Sequence, residues 1–556
     1  MLPTATVQDR YTDEDAKRFY RAGFWQDANL FDLVEAQAQV RPDKIFASDG
    51  TTNLTFRDLR DRGARLALGL RRLGIRPGDR VAVQLPNWSE FTLIATALGR
   101  IGGILVPIMP IFREDEVEYL LTHSGAKAAI TCEQFKNFGY VEMYSRLRSR
   151  CPELQEIISV RSTGTDGRCI PLEELVVSDQ VAGEDPELGP HPSPDDGFLI
   201  VYTSGTTSRP KGCFHTLNTV RASSAAIARS LDYRESDVQF GPSPITHSTG
   251  LVTSMLLPLQ SGAASHLMDA WEPNAAMRRI AEYGCTSAVT ATAFLEMLLN
   301  VYNPDQHDPS SMRMWVCAGA PVPASVVHRA EEMLGGCRIL SLYGRSENFL
   351  TTMCTVDDAP ERSATSDGAA VKSAGASVQV VDDRGEEVPR GTEGDIAYKG
   401  PSHMIEYFRD PEQTAALFTP DGYSRSGDLG YMDQDGYVRV TGRSKDIVIR
   451  GGLNISAREL EELLAEHPLV ANVAVVAMPD ARLGEKVCVY VVPAEPADRP
   501  SLESIVSYLR GRRVATPKLP ERLELVEELP LTATGKVQKH VLRDDIKQKL
   551  QDGGVV

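Results

Sequence analysis

The sequence lacks the cysteine patterns that staple small or secreted proteins together. Its nine cysteines are scattered over 556 residues, are odd in number and form no Cys-x-x-Cys pair. This spacing favours neither a zinc site nor a disulfide framework, and it indicates reduced thiols in a cytoplasmic enzyme.

Long hydrophobic runs are missing as well. No uninterrupted apolar stretch reaches the roughly 18 residues that span a bilayer. Residues 1–15 contain acidic side chains and lack the apolar centre of a signal peptide. We therefore expect a soluble, cytoplasmic protein without a membrane partner.

Positive charge is scarce. The formal net charge of −17 argues against nucleic-acid binding and favours solubility. The deficit is uneven, because residues 445–556 hold 16 Lys and Arg against 17 Asp and Glu. The last part of the chain is therefore the better place for an anionic ligand.

What the sequence does contain is an alternation of strand-like and helical segments through most of residues 1–400. Residues 57–73 predict an amphipathic helix, and the runs 80–85, 105–110 and 128–132 predict strands. This alternation is typical of α/β folds with parallel sheets, and the length allows two or more domains.

Beyond residue 377 the pattern changes to short strands and turns, which predicts an antiparallel sheet or a small barrel. A second small unit follows Gly442. Its first predicted helix, 456–467, begins at a capping signal formed by Ser456 and Glu459. The other predicted elements of this unit are two strands and a helix, at 473–477, 486–492 and 502–509.

The most informative stretch is 202–212, which follows the apolar run 198–201 and packs hydroxyls, glycines and one lysine into a single turn. Free backbone N–H groups, hydroxyls and a lysine are what a loop offers to a polyphosphate. The residues expected to bind phosphate are Thr203, Ser204, Gly205, Thr206, Thr207 and Lys211. The loop is not of the Walker A type, because the second glycine expected directly before Lys211 is lacking and no Ser or Thr follows the lysine.

Further motifs follow along nearly the whole chain. They are Pro-Ile-Thr-His-Ser-Thr-Gly at 244–250, Cys-Ala-Gly-Ala-Pro at 317–321, Tyr-Gly-Arg-Ser-Glu at 343–347, Tyr-Ser-Arg-Ser-Gly-Asp-Leu at 423–429, Gly-Arg-Ser-Lys-Asp at 442–446, Arg-Gly-Gly-Leu-Asn-Ile at 450–455 and Pro-Leu-Thr-Ala-Thr-Gly-Lys at 530–536. In these motifs the chain resembles the adenylate-forming superfamily, which includes acyl- and aryl-CoA synthetases, firefly luciferase and the adenylation domains of peptide synthetases. Its finer details are most similar to medium-chain and cyclohexanecarboxylate-type CoA ligases.

The resemblance implies a fold of two parts. A large N-terminal domain, residues 1–444, would consist of stacked α/β subdomains plus a small β-barrel-like part. A small, mobile α+β domain, residues 445–556, would follow, with Lys445 as the hinge. Mobility is expected because the family runs two half-reactions that need different faces of the small domain.

The implied chemistry explains the residue types. A carboxylate attacks the α-phosphate of ATP to give an acyl-adenylate and pyrophosphate, and coenzyme A then displaces AMP. The first step brings an anion to a polyanion, so it needs cations and preorganised donors. The resemblance implies that Lys536 bridges the carboxylate and the α-phosphate. It also implies that Glu347, with Thr206, binds Mg²⁺, a hard cation that prefers oxygen ligands.

The resemblance also assigns the nucleotide site. Tyr343 is similar to the ring that packs on adenine, and Asp428 to the carboxylate that accepts both ribose hydroxyls. Arg443 would reach the ribose or a phosphate. Besides the phosphate loop, the implied ATP- and AMP-binding residues are Gly319, Ala320, Pro321, Tyr343, Gly344, Ser346, Asp428 and Arg443.

His247 resembles the gate between an acyl pocket and a thiol tunnel. The implied pocket residues are His247, Ser248, Gly250, Phe294, Cys317 and Gly319. Amino-acid-activating relatives carry an aspartate where Ser248 stands, so an α-amino acid is not expected; small or apolar residues suit an alicyclic, branched or medium-chain acid. The residues implied for coenzyme A are Arg450, Gly451 and Gly452, where glycine lets pantetheine pass close to the backbone.

Two positions depart from the family pattern. Ser208 stands where the phosphate loop usually has glycine, and a Cβ restricts a loop that must flex around pyrophosphate. Arg345 is unusual between Tyr343-Gly344 and Ser346-Glu347. Both departures concern the first half-reaction.

Several functions remain open at this point. The leading hypothesis is an ATP-, Mg²⁺- and CoA-dependent ligase of an apolar, small-molecule carboxylic acid. One alternative is an acyl-AMP ligase that loads a carrier-protein phosphopantetheine, and another is a ligase proficient mainly in thioesterification. A non-catalytic scaffold would be expected to have lost Lys536, Glu347 or Asp428. A luciferase-like oxygenase uses the same motifs.

Overall fold

A computed structural model of the chain describes residues 6–162, 167–176, 186–203, 210–319, 322–443, 446–450, 453–480, 482–512, 514–532 and 536–551. The helices are α1 (Val7–Arg10), α2 (Asp13–Arg21), α3 (Leu30–Val40), α4 (Phe56–Arg72), α5 (Glu90–Ile101), α6 (Glu114–Ser124), α7 (Tyr140–Leu147), α8 (Leu172–Leu175), α9 (Leu217–Ser230), α10 (Ser248–Leu251), α11 (Leu257–Ser261), α12 (Pro273–Glu282), α13 (Thr292–Val301), α14 (Ala324–Met333), α15 (Pro360–Thr365), α16 (Pro411–Ala415), α17 (Ala457–Ala465), α18 (Leu502–Gly511) and α19 (Lys539–Gln551). A π-helical segment, Val252–Leu256, joins α10 to α11.

The strands are β1 (Ile45–Ser48), β2 (Asn53–Thr55), β3 (Arg80–Gln84), β4 (Ile104–Pro107), β5 (Ala128–Cys132), β6 (Gln134–Phe135), β7 (Phe138–Gly139), β8 (Glu156–Val160), β9 (Ile170–Pro171), β10 (Gly197–Tyr202), β11 (Gly212–Thr216), β12 (Val238–Gly241), β13 (Ala264–Leu267), β14 (Ser287–Thr290), β15 (Met314–Ala318), β16 (Arg338–Tyr343), β17 (Thr352–Met353), β18 (Ser377–Val381), β19 (Gly394–Lys399), β20 (Glu406–Tyr407), β21 (Ser424–Met432), β22 (Val438–Arg443), β23 (Val448–Arg450), β24 (Leu453–Ile455), β25 (Val470–Asp480), β26 (Gly484–Pro493) and β27 (Arg522–Leu525). In the described ranges no helix is both long and apolar enough to cross a membrane.

The larger of two structural units is built on two eight-stranded sheets. It comprises the described residues of Met1–Ser204, Pro210–Ser377 and Lys399–Leu417. The first sheet has the order β17-β16-β15-β14-β12-β13-β1-β2, and the second has the order β20-β11-β10-β4-β3-β5-β8-β9. Their central strands pair in parallel, and antiparallel pairs lie toward the edges.

One hydrophobic core joins these two sheets. It takes in Phe46 and Val316 from the first sheet and Val81 and Leu105 from the second. Every residue of α5 is buried. Strands that are buried on both faces have continuous apolar sequences. For this reason the apolar runs in this unit predicted its strands well. The predicted fold class of stacked α/β subdomains is confirmed.

The smaller unit comprises the described residues of Val378–Tyr398 and Phe418–Val556. The short strands predicted after residue 377 form a four-stranded sheet, β18-β19-β21-β22. A five-stranded sheet has β24-β23-β26-β25 in order, with β27 beside β26. Because side chains alternate along a strand, β25 turns Val475 toward the core that contains Leu460 and Leu509, and Ala474 toward the core that contains Ile546.

The smaller unit is thus an α+β arrangement, as predicted. The proposed boundary between residues 444 and 445 stays a prediction, and both residues lie outside the described ranges.

Candidate active site

The ends of the phosphate loop are held by a hairpin of β10 and β11, in which Tyr202 pairs with Gly212. The amide of Thr203 donates to the carbonyl of Lys211 at 2.9 Å. The loop residues between them, including the predicted Ser204, Gly205, Thr206 and Thr207, lie outside the described residues, as does Ser208. The hairpin therefore fixes where the loop begins and ends.

Aromatic side chains of α6 contact the chain on both sides of the loop. The hydroxyl of Tyr119 donates to the carbonyl of Pro210 at 2.9 Å. The Tyr202 hydroxyl lies 2.8 Å from Nδ1 of His123. Burial raises the pKa of Tyr202, and burial together with the nearby Arg409 lowers the pKa of His123. The phenol is therefore the donor and the neutral imidazole the acceptor.

Lys211 and Glu347, both predicted from sequence, are brought together by a residue that was not predicted. The ammonium of Lys211 lies over the ring of Tyr407, 4.6 Å from its centroid. The Tyr407 hydroxyl donates to Oε1 of Glu347 at 2.6 Å. No sequence spacing could have found this contact, because Tyr407 lies far along the chain from both partners.

Strand β16 ends at the predicted Tyr343, and the segment after it, which carries the predicted Gly344 and Ser346, turns back sharply. A Cβ at Gly344 would lie 1.9 Å from the carbonyl oxygen of Phe349, so only glycine fits. Ring Nε2 of His215 donates to the carbonyl of Ser346 at 2.8 Å. Burial lowers the pKa of His215 to about 3, so this imidazole stays neutral. The backbone beside Glu347 is thereby fixed on the side of β11.

Arg345, the unusual residue in this motif, is also held locally. Its Nε donates to Oδ1 of Asn348 at 3.2 Å. Asn348 is fully buried and donates to the carbonyl of Leu350 at 2.9 Å. Burial raises the pKa of the Tyr407 phenol, and the positive charge of Arg345 opposes that rise.

Several predicted residues lie at one edge of the first sheet, because parallel strands end on the same side. Strands β15 and β16 are neighbours, and they lead directly to Gly319 and Tyr343. Strand β14 leads to α13, which carries Phe294, and β12 leads to the segment with His247. Ala320 and Pro321 lie outside the described residues.

His247 caps the short helix α10. Its Nδ1 accepts a hydrogen bond from the amide of Thr249 at 3.3 Å, and its own amide donates to the carbonyl of Pro244 at 2.9 Å. Gly250 packs against the same segment, where a Cβ would lie 2.2 Å from the Pro244 oxygen. The predicted gate residue His247 and the backbone beneath it are therefore fixed, with Ser248 buried next to them.

The other predicted pocket residues are apolar in this environment. Phe294 is 9% exposed and packs edge-on against Trp271, with ring centroids 4.6 Å apart. Cys317 is fully buried, which raises the pKa of its thiol to about 12. Cys317 therefore behaves as a small apolar residue. The sequence did not predict Trp271 as a site residue, because an isolated tryptophan in a loop belongs to no recognisable motif.

In the smaller unit, Asp428 lies in β21 opposite Arg443 of β22. The side chain of Arg443 is outside the described part of the structure. Asp395 holds the backbone that directly precedes Asp428. Its Oδ1 accepts hydrogen bonds from the amides of Ser426 at 3.1 Å and Gly427 at 3.0 Å. Asp395 was not predicted, since it lies on another strand, β19.

The backbone of Lys536 is hydrogen-bonded to Thr532. Its amide donates to the hydroxyl of Thr532 at 3.0 Å, and its carbonyl accepts from the Thr532 amide at 2.7 Å. A bridge between Leu531 and Val537 flanks this pair. The backbone of Lys536 is thus positioned, although residues 533–535 lie outside the described ranges.

Arg450, predicted for coenzyme A, forms an ion pair in this structure. Its Nε donates to Oε1 of Glu521 at 2.7 Å, and Oε2 of the same carboxylate accepts from the amide of Val487 at 3.0 Å. Gly451, Gly452 and the hinge residue Lys445 lie outside the described residues. The predicted roles of these residues stay predictions.

Comparisons with known proteins identify the family. Residues 34–408 match the AMP-binding enzyme family, and residues 459–536 match the AMP-binding enzyme C-terminal domain. The chain belongs to this family of adenylate-forming enzymes, and the predicted enzyme class, an AMP-forming acid–thiol ligase, is confirmed.

Individual relatives match over nearly their full length. The chain is 36% identical to a medium-chain fatty-acid–CoA ligase of Escherichia coli, covering 97% of this chain and 94% of the relative. It is 30% identical to a 2,3-dihydroxybenzoate-AMP ligase of Bacillus subtilis, covering 98% of both. A solved structure of the anthranilate CoA ligase AuaEII with anthranoyl-AMP is 25% identical, with a TM-score of 0.85 over 95% of this chain and 99% of that one.

Proposed function

We propose that the chain activates an apolar carboxylic acid with ATP to an acyl-adenylate and transfers the acyl group to coenzyme A, with release of AMP. The observation that carries this proposal is the apolar character of the predicted acyl pocket: Phe294 packs on Trp271, and Cys317 is a buried, protonated thiol. Ser248 supplies no charge for a substrate ammonium. These features support an alicyclic, bulky or medium-chain acid.

The relatives support the same class of acceptor. Two of the similar proteins are named as CoA ligases, one for a medium-chain fatty acid and one for anthranilate. Both match nearly the full length of this chain, so the acceptor thiol that we propose is coenzyme A.

In the first step an oxygen of the substrate carboxylate bonds to the α-phosphorus of ATP, and the bond to the bridging oxygen breaks, so pyrophosphate leaves. Lys536 would attract both the carboxylate and the α-phosphate. Lys211 and the phosphate loop would hold the phosphate chain, while Asp428 would accept the ribose hydroxyls. In this scheme each negative charge of the substrates would be opposed by a cationic or hydrogen-bonding group, as preorganised electrostatic catalysis requires.

The residues present fit a magnesium ion. Within the described residues no group of three His, Cys, Asp or Glu side chains forms a metal cluster, so Mg²⁺ would rely on Glu347 together with phosphate oxygens and water. A carboxylate can accept several bonds, and among the described residues Tyr407 donates to one oxygen of Glu347, Oε1, which leaves capacity for a metal. When bound, Mg²⁺ supplies positive charge that neutralises the departing pyrophosphate.

In the second step the thiol of coenzyme A loses its proton to solvent, its sulfur bonds to the acyl carbon, and the bond between that carbon and the phosphate oxygen breaks, so AMP leaves. We propose that His247 gates the path of this thiol and that residues 450–452 line it. The Arg450–Glu521 ion pair would keep the β23 strand in place during thiol entry. Lys445 would be the hinge between the two steps.

A panel of acids tests the proposal. Purified protein is assayed with ATP, Mg²⁺, coenzyme A and cyclohexanecarboxylate, octanoate, benzoate or phenylalanine, and pyrophosphate release is measured separately from thioester formation. We expect both signals with the apolar acids and neither with phenylalanine. Activation of phenylalanine alone would contradict the proposed substrate class.

The acceptor is tested in the same assay. Loading of a phosphopantetheinylated carrier protein is a second candidate, because one full-length relative, a 2,3-dihydroxybenzoate-AMP ligase, is named without coenzyme A. Thioester formation on such a carrier without any on coenzyme A would support that function and overturn ours. Thioester formation only from supplied acyl-adenylate would instead identify a ligase impaired in its first step, as Ser208 and Arg345 allow.

A further inference from the structure

The short strand β20 ties two parts of the candidate site to each other. It pairs with β11, and the Cα partners are Cys213 and Tyr407. The amide of Phe408 donates to the carbonyl of Gly212 at 2.7 Å, next to Lys211. The amide of Met404 donates to the carbonyl of Glu347 at 2.7 Å. The backbone around Tyr407 is therefore fixed to both the phosphate-loop strand and the metal-site motif.

The side chain of Tyr407 makes a second link between the same partners. It is 4% exposed, its hydroxyl lies 2.6 Å from Oε1 of Glu347, and its ring lies beneath the Lys211 ammonium. A hydroxyl that donates to a carboxylate at this distance makes a charge-assisted bond, which is about twice as strong as a neutral one. A cation over an aromatic face is attracted by the ring quadrupole.

The direction of this link follows from the two groups themselves. A tyrosine hydroxyl has one proton to donate, and a carboxylate oxygen accepts. Tyr407 is therefore the donor and Glu347 the acceptor.

We propose that Tyr407 is a positioning residue of the first half-reaction, whose hydroxyl orients the Glu347 carboxylate toward the metal while its ring holds Lys211 toward the phosphate chain. The proposal rests on the proposed function, since it takes Glu347 as the metal ligand and Lys211 as a phosphate ligand. Tyr407 itself touches neither metal nor substrate in this scheme. It acts by fixing two opposite charges that would otherwise attract each other directly.

The test measures metal–nucleotide binding as well as activity. Mn²⁺–ATP is titrated with wild-type protein and with Tyr407→Phe, and water-proton relaxation reports the bound fraction. Partners that orient a metal ligand typically contribute 10- to 100-fold in affinity or activity, so we expect Tyr407→Phe to bind Mn²⁺–ATP about 10- to 100-fold more weakly. The KM for Mg²⁺–ATP should rise in parallel, and thioester formation from preformed acyl-adenylate should stay unchanged.

A matched control is Tyr140→Phe. Tyr140 is also buried, and its hydroxyl donates to the carbonyl of Pro110 at 2.7 Å, away from Glu347. This variant loses one hydrogen bond of a buried tyrosine and should bind Mn²⁺–ATP like the wild type. Equal binding by Tyr407→Phe and the wild type would overturn the role of the hydroxyl.

Two further variants separate positioning from general packing. In a double-mutant cycle, Tyr407→Phe should have little additional effect on Mn²⁺–ATP binding once Glu347→Gln is present, because the hydroxyl acts through that carboxylate. Full additivity would overturn the proposal. Tyr407→Leu should bind Mn²⁺–ATP more weakly than Tyr407→Phe, because it also loses the ring beneath Lys211; equal affinities would remove the ring from the scheme.

If Tyr407→Phe does not fold, 3-fluorotyrosine placed at position 407 keeps the shape and makes the phenol a stronger donor. Mn²⁺–ATP affinity must then differ from that of the same replacement at Tyr140, and identical affinities would overturn the proposal. Failure of the proposed function is a separate outcome. In that case wild-type protein releases no pyrophosphate with any acid, whereas the binding comparison still reports on Tyr407.

Discussion

Lys536 is the single residue on which the first half-reaction depends most in our scheme. We expect Lys536→Ala to lower adenylate formation about 10²- to 10³-fold, or roughly 2.7–4 kcal/mol, because a preorganised charge at the transition state is lost. Thioester formation from supplied acyl-adenylate should be spared. The control is Lys547→Ala, an exposed lysine of α19. Equal losses in both half-reactions would show that Lys536 is structural.

Gly344 is a second residue whose replacement has a definite expected effect. Gly344→Ala places a Cβ 1.9 Å from the Phe349 carbonyl oxygen, so the turn that carries Ser346 and Glu347 must shift. Overpacking of this kind costs about 1–3 kcal/mol, and pyrophosphate release should fall with it. Gly511→Ala, where the Cβ meets open space, is the control for thermal unfolding and activity. An active, equally stable Gly344→Ala would refute this role of the turn.

The sequence predicted the site residues that lie in motifs, but not those that support them. Glu347, Lys211 and Asp428 stand in runs with a recognisable order. Tyr407 and Asp395 support these residues from other strands, and their positions depend on strand pairing that no local pattern encodes. Supporting residues of this kind are found only once the fold is known.

At the scale of elements, the predicted helices and strands agree best with the structure where their residues are buried. The predicted strand 128–132 is the strand β5, and the predicted helix 57–73 is α4 (Phe56–Arg72) shifted by one residue. Helix α17 begins after Ser456, whose hydroxyl accepts from the amide of Glu459 at 3.2 Å, as the capping signal predicted. The pairing of β11 with β20, by contrast, joins segments distant in sequence, so no periodicity could predict it.

The β21 strand depends on one carboxylate for the turn that precedes Asp428. We expect Asp395→Ala to raise the KM for ATP about 10-fold or more, because hydrogen bonds to a charged group contribute about 1.5–3 kcal/mol each. Asp395→Asn retains an acceptor oxygen for the amides of Ser426 and Gly427. It should therefore bind ATP more tightly than the alanine variant. Identical KM values for the two variants would exclude this role.

At the scale of the whole molecule, buried neutral histidines set an acid limit on stability. His215 is fully buried, and burial lowers its pKa to about 3, whereas an unfolded histidine has a pKa of about 6.5. Below pH 6.5 the unfolded chain binds a proton that the folded chain does not. The stabilisation is therefore complete above pH 6.5 and is lost as the pH falls toward 3, at up to about 1.4 kcal/mol per pH unit.

His215→Gln tests this expectation. Glutamine can still donate to the carbonyl of Ser346 but does not titrate, so denaturant unfolding free energies should depend less on pH between 6.5 and 4.5 than in the wild type. His403 is also buried, with its pKa lowered in the same direction, so part of the dependence should remain. Parallel pH profiles for wild type and variant would contradict the assignment.

The predicted hinge is also a property of the whole molecule. Lys445→Pro should leave one half-reaction working and abolish the other, because proline fixes φ at the position that must rotate. Lys445→Ala keeps rotational freedom and serves as the control. Separate assays of pyrophosphate release and of thioester formation decide the matter: if both rates of the proline variant stay within about twofold of wild type, the hinge lies elsewhere.

The pairing of β20 with β11 also has a consequence for how the chain is made. Synthesis proceeds from the N-terminus, and domains generally fold as units in that order. The outer edge of strand β11, the second strand of the hairpin, is covered by β20. That edge therefore stays uncovered until Tyr407 has been synthesised. Until then the nascent chain presents an uncovered strand edge, which is a template for pairing with other chains. Ribosome-bound chains that stop short of residue 406 are therefore the stage at which chaperone contact matters most.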